Sequence, residues 1–416
     1  MSDRARSTLV AALALLLASA AGADVSDDDI VVGMSAAFSG HSRALGIELY
    51  RGSHAYLEEI NAQGGVHGRR IVLKAYDDGY DPPRAIANTI RLIEDDDVFL
   101  LFNYVGTPTV TRVLPLLRQF RSKNVFLFFP FTGAEPHRQP PYSDYVFNLR
   151  ASYFNETEGL VSHFIGIGRP DIAVFYQADA YGRSGWEGVR NALERHGLSI
   201  HAEASYRRGT GFSDSFARQV EILRASKPDA IVSVCSYEAC AGLIRDARAA
   251  AWDVPIANLS FVASEAMAAL LTGSAKNDAE RQISNLINSQ VVPSYEDLSL
   301  AAVREYRELM DRYGAGIPGV AARTDYQPLS YSFVSFEGYL NAKLLVEFLR
   351  RLGPEPSRER IRNSVEAMRN IDLGIDSQVS FGPYRHQASD AVYYTTLQDG
   401  AFVPLSDWNR WRPQQP

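Results

Sequence analysis

Two loops in this chain bring together residue types suited to holding a small anion: Tyr104-Val105-Gly106-Thr107 and Phe131-Thr132-Gly133. A glycine allows a ligand to approach the main chain, and a threonine hydroxyl both donates and accepts hydrogen bonds. If Gly106-Thr107 opens a helix, the free N–H groups and positive dipole end of that helix attract a carboxylate. Tyr104 and Phe131 add aromatic walls. The expectation is half of a pocket for a small carboxylate-bearing molecule. The same residues also fit an ordinary strand-helix-strand unit whose loops bind nothing.

The surrounding stretch, residues 98–133, must position these loops. Val98 to Phe102 is an apolar run that breaks at Asn103, and Val125 to Phe129 is a second one that ends at Pro130. Between them Val110, Leu114 and Leu117 recur at helical spacing. Pro108 suits a first helical turn, where its missing N–H is no loss. Two neighbouring parallel strands would release both loops on one side of a sheet, where ligands bind in open parallel sheets. Upstream, Ile30–Met34 and Ile71–Tyr76 read as strands, and Glu48–Gln63 and Pro82–Asp95 as helices. Alternation of this kind gives an α/β lobe of doubly wound, Rossmann-like build. A second series of strands and helices follows from Glu156 to Val292, and a helical stretch after Pro293.

Composition bounds the rest. The chain has 416 residues, enough for two or more lobes, and its net charge of −7 argues against nucleic acid or anionic membrane as partner. Arg4 and Arg6, the apolar run Leu9–Ala18 and the A-x-A pattern Ala21-Gly22-Ala23 predict a signal peptide over 1–23, cleaved near Ala23, and export to the periplasm. Cys235 and Cys240 are the only cysteines. They could pair in an oxidising compartment, but spacing alone does not secure the geometry, and two buried, unbridged thiols are expected. The sequence holds no nucleophile elbow, no H-E-x-x-H, no phosphate-binding loop and no metal-ligand spacing among its eight His. Nothing assembles a nucleophile, base and oxyanion set, so no enzyme, metal or cofactor is expected. The acidic run Asp77, Asp78 and Asp81 reads as turns and caps.

The chain resembles the periplasmic substrate-binding proteins of the leucine/isoleucine/valine-binding family, which feed ABC importers. The residues that carry the resemblance are Ile30–Gly40 (IVVGMSAAFSG), Ala44-Leu45-Gly46, Ile60–Gly68 (INAQGGVHG), Asp77–Pro82 (DDGYDP), Pro130–Ala134 (PFTGA) and Asp179–Gly182 (DAYG). The resemblance implies two α/β lobes joined by a three-crossing hinge that closes on ligand. It implies boundaries of 24–148 plus 294–376 for lobe one and 149–293 plus 377–416 for lobe two. The crossings then fall near Asn148–Ala151, Val291–Pro293 and Gly374–Ser377. It implies Leu45, Val105, Gly106, Thr107, Thr132 and Gly133 at the ligand in lobe one, and Tyr181 and Tyr237 in lobe two.

Three departures bear on the ligand. Ser260 stands where leucine binders have a Glu that pairs with the ligand ammonium, Leu45 replaces a Tyr, and the first-lobe disulfide positions hold Tyr80 and Val105. A different amino acid, or an aromatic or branched carboxylate without an amine, is therefore expected. Asp179 is a candidate for the missing charge, with Glu265 a weaker one. The implied partners are a membrane permease of an ABC importer, or a kinase or chemoreceptor if the protein is a sensor, with the receptor itself a monomer.

Overall fold

The computed structural model describes residues 28–274, 278–321 and 326–413. The expected signal peptide lies outside these residues. The first sheet is built from β1 (Asp29–Ala36), β2 (Arg70–Asp77), β3 (Leu100–Phe102), β4 (Leu127–Phe128) and β5 (Val146–Phe147), all parallel in the order β2-β1-β3-β4-β5. Helices α1 (Arg43–Ala62), α2 (Pro82–Glu94) and α3 (Thr107–Gln119) connect the first strands. The order reverses between β1 and β3, so the loops after these two strands open a crevice at their carboxyl ends.

The second lobe repeats the plan. It holds α4 (Tyr153–Gly166), β6 (Ile172–Gln177), α5 (Ala180–Arg195), β7 (Ala202–Tyr206), α6 (Ala217–Ala225), β8 (Ala230–Val234), α7 (Tyr237–Ala249), β9 (Ile256–Asn258), α8 (Ser264–Ser274), α9 (Ala279–Ile283) and β10 (Leu286–Gln290). Strands β6 to β10 are parallel, and the order reverses between β6 and β8. The chain then returns to lobe one. There α10 (Ala301–Tyr313) and α11 (Phe333–Leu352) pack on α1, and α12 (Arg358–Glu366) packs on α11. The approach of α11 to α1 is close enough that a Cβ at Gly52 would lie 1.7 Å from the Ser335 carbonyl oxygen and one at Gly338 2.2 Å from that of Leu49. A two-stranded ribbon, β11 (Ile371–Asp372) with β12 (Gln378–Val379), follows. Finally β13 (Tyr393–Gln398) and β14 (Ala401–Pro404) complete the second sheet as antiparallel edge strands.

The third crossing lies later than the expected 376/377 boundary. Residues 378–388 remain with lobe one: β12 pairs with β11, Phe381 packs on Phe129 and Phe147, and the His386 carbonyl accepts the Asn148 N–H. The chain leaves beside the first crossing, where the Ser389 N–H meets the Leu149 carbonyl. The resemblance implies an exit at Gly374–Ser377. Those residues form the turn of the ribbon instead.

The cysteine expectation is also corrected. Cys235 and Cys240 form a disulfide with Cα atoms 5.5 Å apart. Cys235 directly follows β8 and Cys240 lies in the first turn of α7, so the helical turn folds the second thiol back toward the first.

Candidate functional site

In lobe one, the loop after β3 begins with Asn103 in the left-handed region (φ 54°). Its buried amide donates to Ser53 Oγ at 2.7 Å and accepts from Asn341 Nδ2 at 2.8 Å. The loop is tied to its neighbour by the Gly106 N–H to the Phe131 carbonyl (3.1 Å) and the Phe131 N–H to the Tyr104 carbonyl (2.7 Å). Gly106 precedes α3 with φ 100°. A side chain there is excluded twice, by that dihedral and by the Tyr80 ring, whose Cε2 would lie 2.0 Å from a Cβ. Thr107 and Thr132 then meet: their hydroxyls are 2.7 Å apart, and the Tyr153 hydroxyl lies 3.5 Å from that of Thr107. Gly133 lets the Tyr153 ring cover the loop, since a Cβ would be 2.5 Å from that ring.

In lobe two the loops at the switch point carry Tyr181 and Tyr237 in the first turns of α5 and α7. Asp179 caps α5: Oδ1 accepts the Tyr181 N–H at 2.9 Å, Oδ2 accepts the Gln177 amide at 2.7 Å, and Arg208 stands 3.5 Å away. Burial pushes its carboxyl above the ordinary range, against these hydrogen bonds. Tyr181 is fully buried, with its ring centroid 4.5 Å from that of Phe261 and 5.3 Å from that of Tyr153. Leu45 and Tyr237 belong to one continuous apolar cluster that also takes in Phe38, Tyr80, Phe131, Tyr181 and Phe261.

The two lobes are closed on each other. Phe261 of lobe two lies 5.5 Å from Phe131 and 6.1 Å from Tyr80, centroid to centroid. At the rim, His41 Nδ1 and Arg43 Nη1 reach the Glu238 carboxylate at 2.6 and 3.3 Å. Between the lobes the first crossing delivers Arg150, of whose side chain 1% is exposed. Its Nη2 donates to Ser260 Oγ, and its Cζ lies 4.5 Å from the Phe131 ring centroid. Ser260 in turn donates its N–H (2.7 Å) and hydroxyl (3.0 Å) to Glu156, whose Oε2 also accepts from Ser289 Oγ at 2.6 Å.

The expected residues therefore divide. Val105, Gly106, Thr107, Phe131, Thr132 and Gly133 gather on one wall of the cleft, with Tyr181 and, through Arg150, Ser260 opposite. Tyr104 does not join them. Its hydroxyl meets Thr89 Oγ1 at 3.0 Å and its ring packs among Ala85, Leu92 and Val110 of the α2 and α3 layer, because the left-handed turn at Asn103 rotates the next side chain outward. Asp179 is engaged as a helix cap. Glu265 sits on α8 as expected, but its carboxyl accepts the Phe333 N–H at 3.1 Å and is pushed up to about 7 by burial. The acidic run behaves as turn chemistry: Asp77 accepts from the Phe38, Ser39 and Gly79 N–H groups, and Asp78 from Ser35 Oγ and the Tyr80 N–H. Among the described residues no cluster of His, Cys, Asp and Glu fits a metal ion, and no helix is long and apolar enough to cross a membrane. Sequence reasoning missed Tyr153, Phe261, Arg150, Glu156 and Glu337. A charged residue inside the apolar crossing Val146–Ala151 was the one available signal, and it pointed to Arg150.

A family model for periplasmic binding proteins matches residues 29–401. The chain belongs to the periplasmic binding protein family. It is of the type I, leucine/isoleucine/valine-binding kind, a group of binding and transport proteins rather than enzymes. A Leu/Ile/Val-binding protein homologue from Brucella melitensis is 24% identical over 217 residues, which cover 52% of this chain and 56% of that protein. The chain spans about half the length of the first curated relatives it matches. A possible leucine/isoleucine/valine-binding protein from Rhodopirellula baltica is 31% identical, with a TM-score of 0.79 over 94% of this chain and 100% of that one. A branched-chain amino acid ABC transporter structure from Thermus thermophilus with bound valine has a TM-score of 0.78 over 92% of this periplasmic binding protein and 97% of the other, at 17% identity, a likeness of fold alone.

Proposed function

We propose that this periplasmic binding protein captures a small carboxylate, an amino acid or a related acid, between its lobes and delivers it to the permease of an ABC importer. The single observation that carries the reading is the paired hydroxyls of Thr107 and Thr132, 2.7 Å apart at the N-terminus of α3, facing Tyr181 and Phe261 across a closed cleft. Hydroxyls and helix N–H groups at such a position hold a carboxylate, and the rings exclude water from its body. Leu45, Val105, Gly106, Phe131, Gly133, Tyr237 and Ser260 complete the proposed wall. The names of the relatives support an amino-acid ligand and an importer partner.

The test is solution scattering and thermal melting on protein unfolded and refolded to strip bound ligand. A panel of amino and organic acids should contain compounds that shrink the scattering radius and raise the melting temperature together. A radius unmoved by every compound that raises the melting temperature would sink the reading.

A further inference from the structure

The centre of the cleft holds a cation whose hydrogen bonds are incomplete. Arg150 uses Nη2 on Ser260 Oγ, while Nε and Nη1 have no hydrogen-bond partner among the described residues. Both nearby carboxylates stop short of hydrogen-bond distance, Glu337 Oε1 at 3.7 Å from Nη1 and Glu156 Oε1 at 3.8 Å from Nη2. Glu156 is already occupied by Ser260 and Ser289. Burial pushes the Glu337 carboxyl up to about 7, and the neighbouring Arg138 adds a second cation, held by the carbonyls of Ala134 and Arg150. A buried guanidinium with unmet donors is costly, and its planar fork matches the two oxygens of a carboxylate. The Phe131 ring beneath it packs against Phe261, which in turn packs on Tyr181.

We infer that Arg150 is the specificity-determining residue of the cleft: its unpartnered Nη1 donor takes an oxyanion of the ligand, so the cargo is an organic acid without an ammonium. The inference rests on the receptor reading above. An α-ammonium brought to Ser260 would meet the guanidinium that holds its hydroxyl, a like charge in a site where screening is weak, while the Glu156 carboxylate on the other side of Ser260 is already engaged by Ser260 and Ser289. The same position is occupied by an acid only when the acid supplies the missing acceptor.

The experiment is calorimetric titration of refolded protein with matched pairs that differ at the amine alone: leucine against 4-methyl-2-oxopentanoate, and phenylalanine against phenylpyruvate. Wild type should bind at least one oxo acid ten-fold or more tighter than its amino acid. R150K should weaken that acid about ten-fold, and R150Q further, with circular dichroism and melting confirming the fold of each variant. The wild-type ranking stands without either variant, so a misfolded R150Q does not remove the test. Tighter binding of both amino acids, abolished by T107A, overturns this inference and leaves the receptor reading intact. Saturable binding by no member of either pair, nor by any acid of the wider panel, overturns both. Binding of the favoured acid unchanged in a folded R150K and R150Q overturns the role of Arg150 alone.

Discussion

The two lobes face the cleft with different chemistry. Lobe one presents main chain and hydroxyls, at Gly106, Thr107, Thr132 and Gly133, beside the rings of Phe131 and Tyr80, whereas lobe two presents the rings of Tyr181 and Phe261 and a serine gripped by Arg150. The glycines of lobe one are fixed by crowding, from Tyr80 over one and Tyr153 over the other. A wall built from backbone geometry can hold any carboxylate, so little of the choice among ligands is made there. A wall built from side chains changes with every substitution. On the receptor reading, lobe one grips and lobe two chooses.

That contrast can be broken at several points. The largest effect is expected at Gly106. G106V places a branched side chain at φ 100° and against Tyr80, and should destabilise folding by about 3 kcal/mol or more, read from denaturant unfolding. A stable, binding-competent G106V would show that backbone geometry is not what lobe one contributes. Next come T107A and T132A. Each should weaken ligand binding by roughly 1–3 kcal/mol, the loss of a hydrogen bond to a charged group, with smaller change in melting temperature. If both bind as wild type does, the grip lies elsewhere.

A pH dependence sharpens the comparison further. Glu337, Asp78 and Glu265 are all pushed up to about 7 by burial. In the unfolded chain they release their protons at the ordinary carboxylate values, so between about pH 4 and 7 the folded form holds more protons. Their contribution to stability is therefore fully present below the unfolded values and is lost as pH rises through about 7. Asp77, held below its ordinary value by its hydrogen bonds, works in the opposite direction. The difference between wild type and an E337Q/D78N/E265Q variant, melted at pH 5 and pH 8, isolates the three groups: wild type should lose more on going to pH 8. Glu337 also faces Arg150, with Glu156 and Arg138 beside it. Its ionisation competes for the guanidinium, so acid binding should weaken severalfold from pH 6 to pH 8 in wild type and less in E337Q. The smallest effect is expected for D179A, which removes the cap of α5 and should cost about 1 kcal/mol of stability. A loss of binding far beyond that would return Asp179 to the ligand.

What the sequence could tell followed the range of the forces involved. The strand, loop and helix from Leu100 to Gln119 were legible because Gly106, Thr107 and Pro108 are local signals for one helix start. The alternating pattern disclosed both lobes. Tyr104 was misread because a single left-handed residue, Asn103, reverses the side on which the next side chain emerges. The disulfide and the third crossing turn on tertiary geometry that local spacing does not fix. Arg150, Ser260, Glu156 and Glu337 lie on four separate elements, and only the closed fold makes them neighbours.

The disulfide has a consequence for capture. It ties Cys235, whose carbonyl oxygen lies 3.5 Å from the Tyr181 hydroxyl, to the first turn of the helix that carries Tyr237. Both tyrosines are thereby held by a loop with few conformations to lose. Ordering a flexible loop at the moment of binding would subtract from affinity, whereas a loop ordered when the chain folds subtracts nothing. On the receptor reading, the bridge shifts that entropy loss from capture to folding.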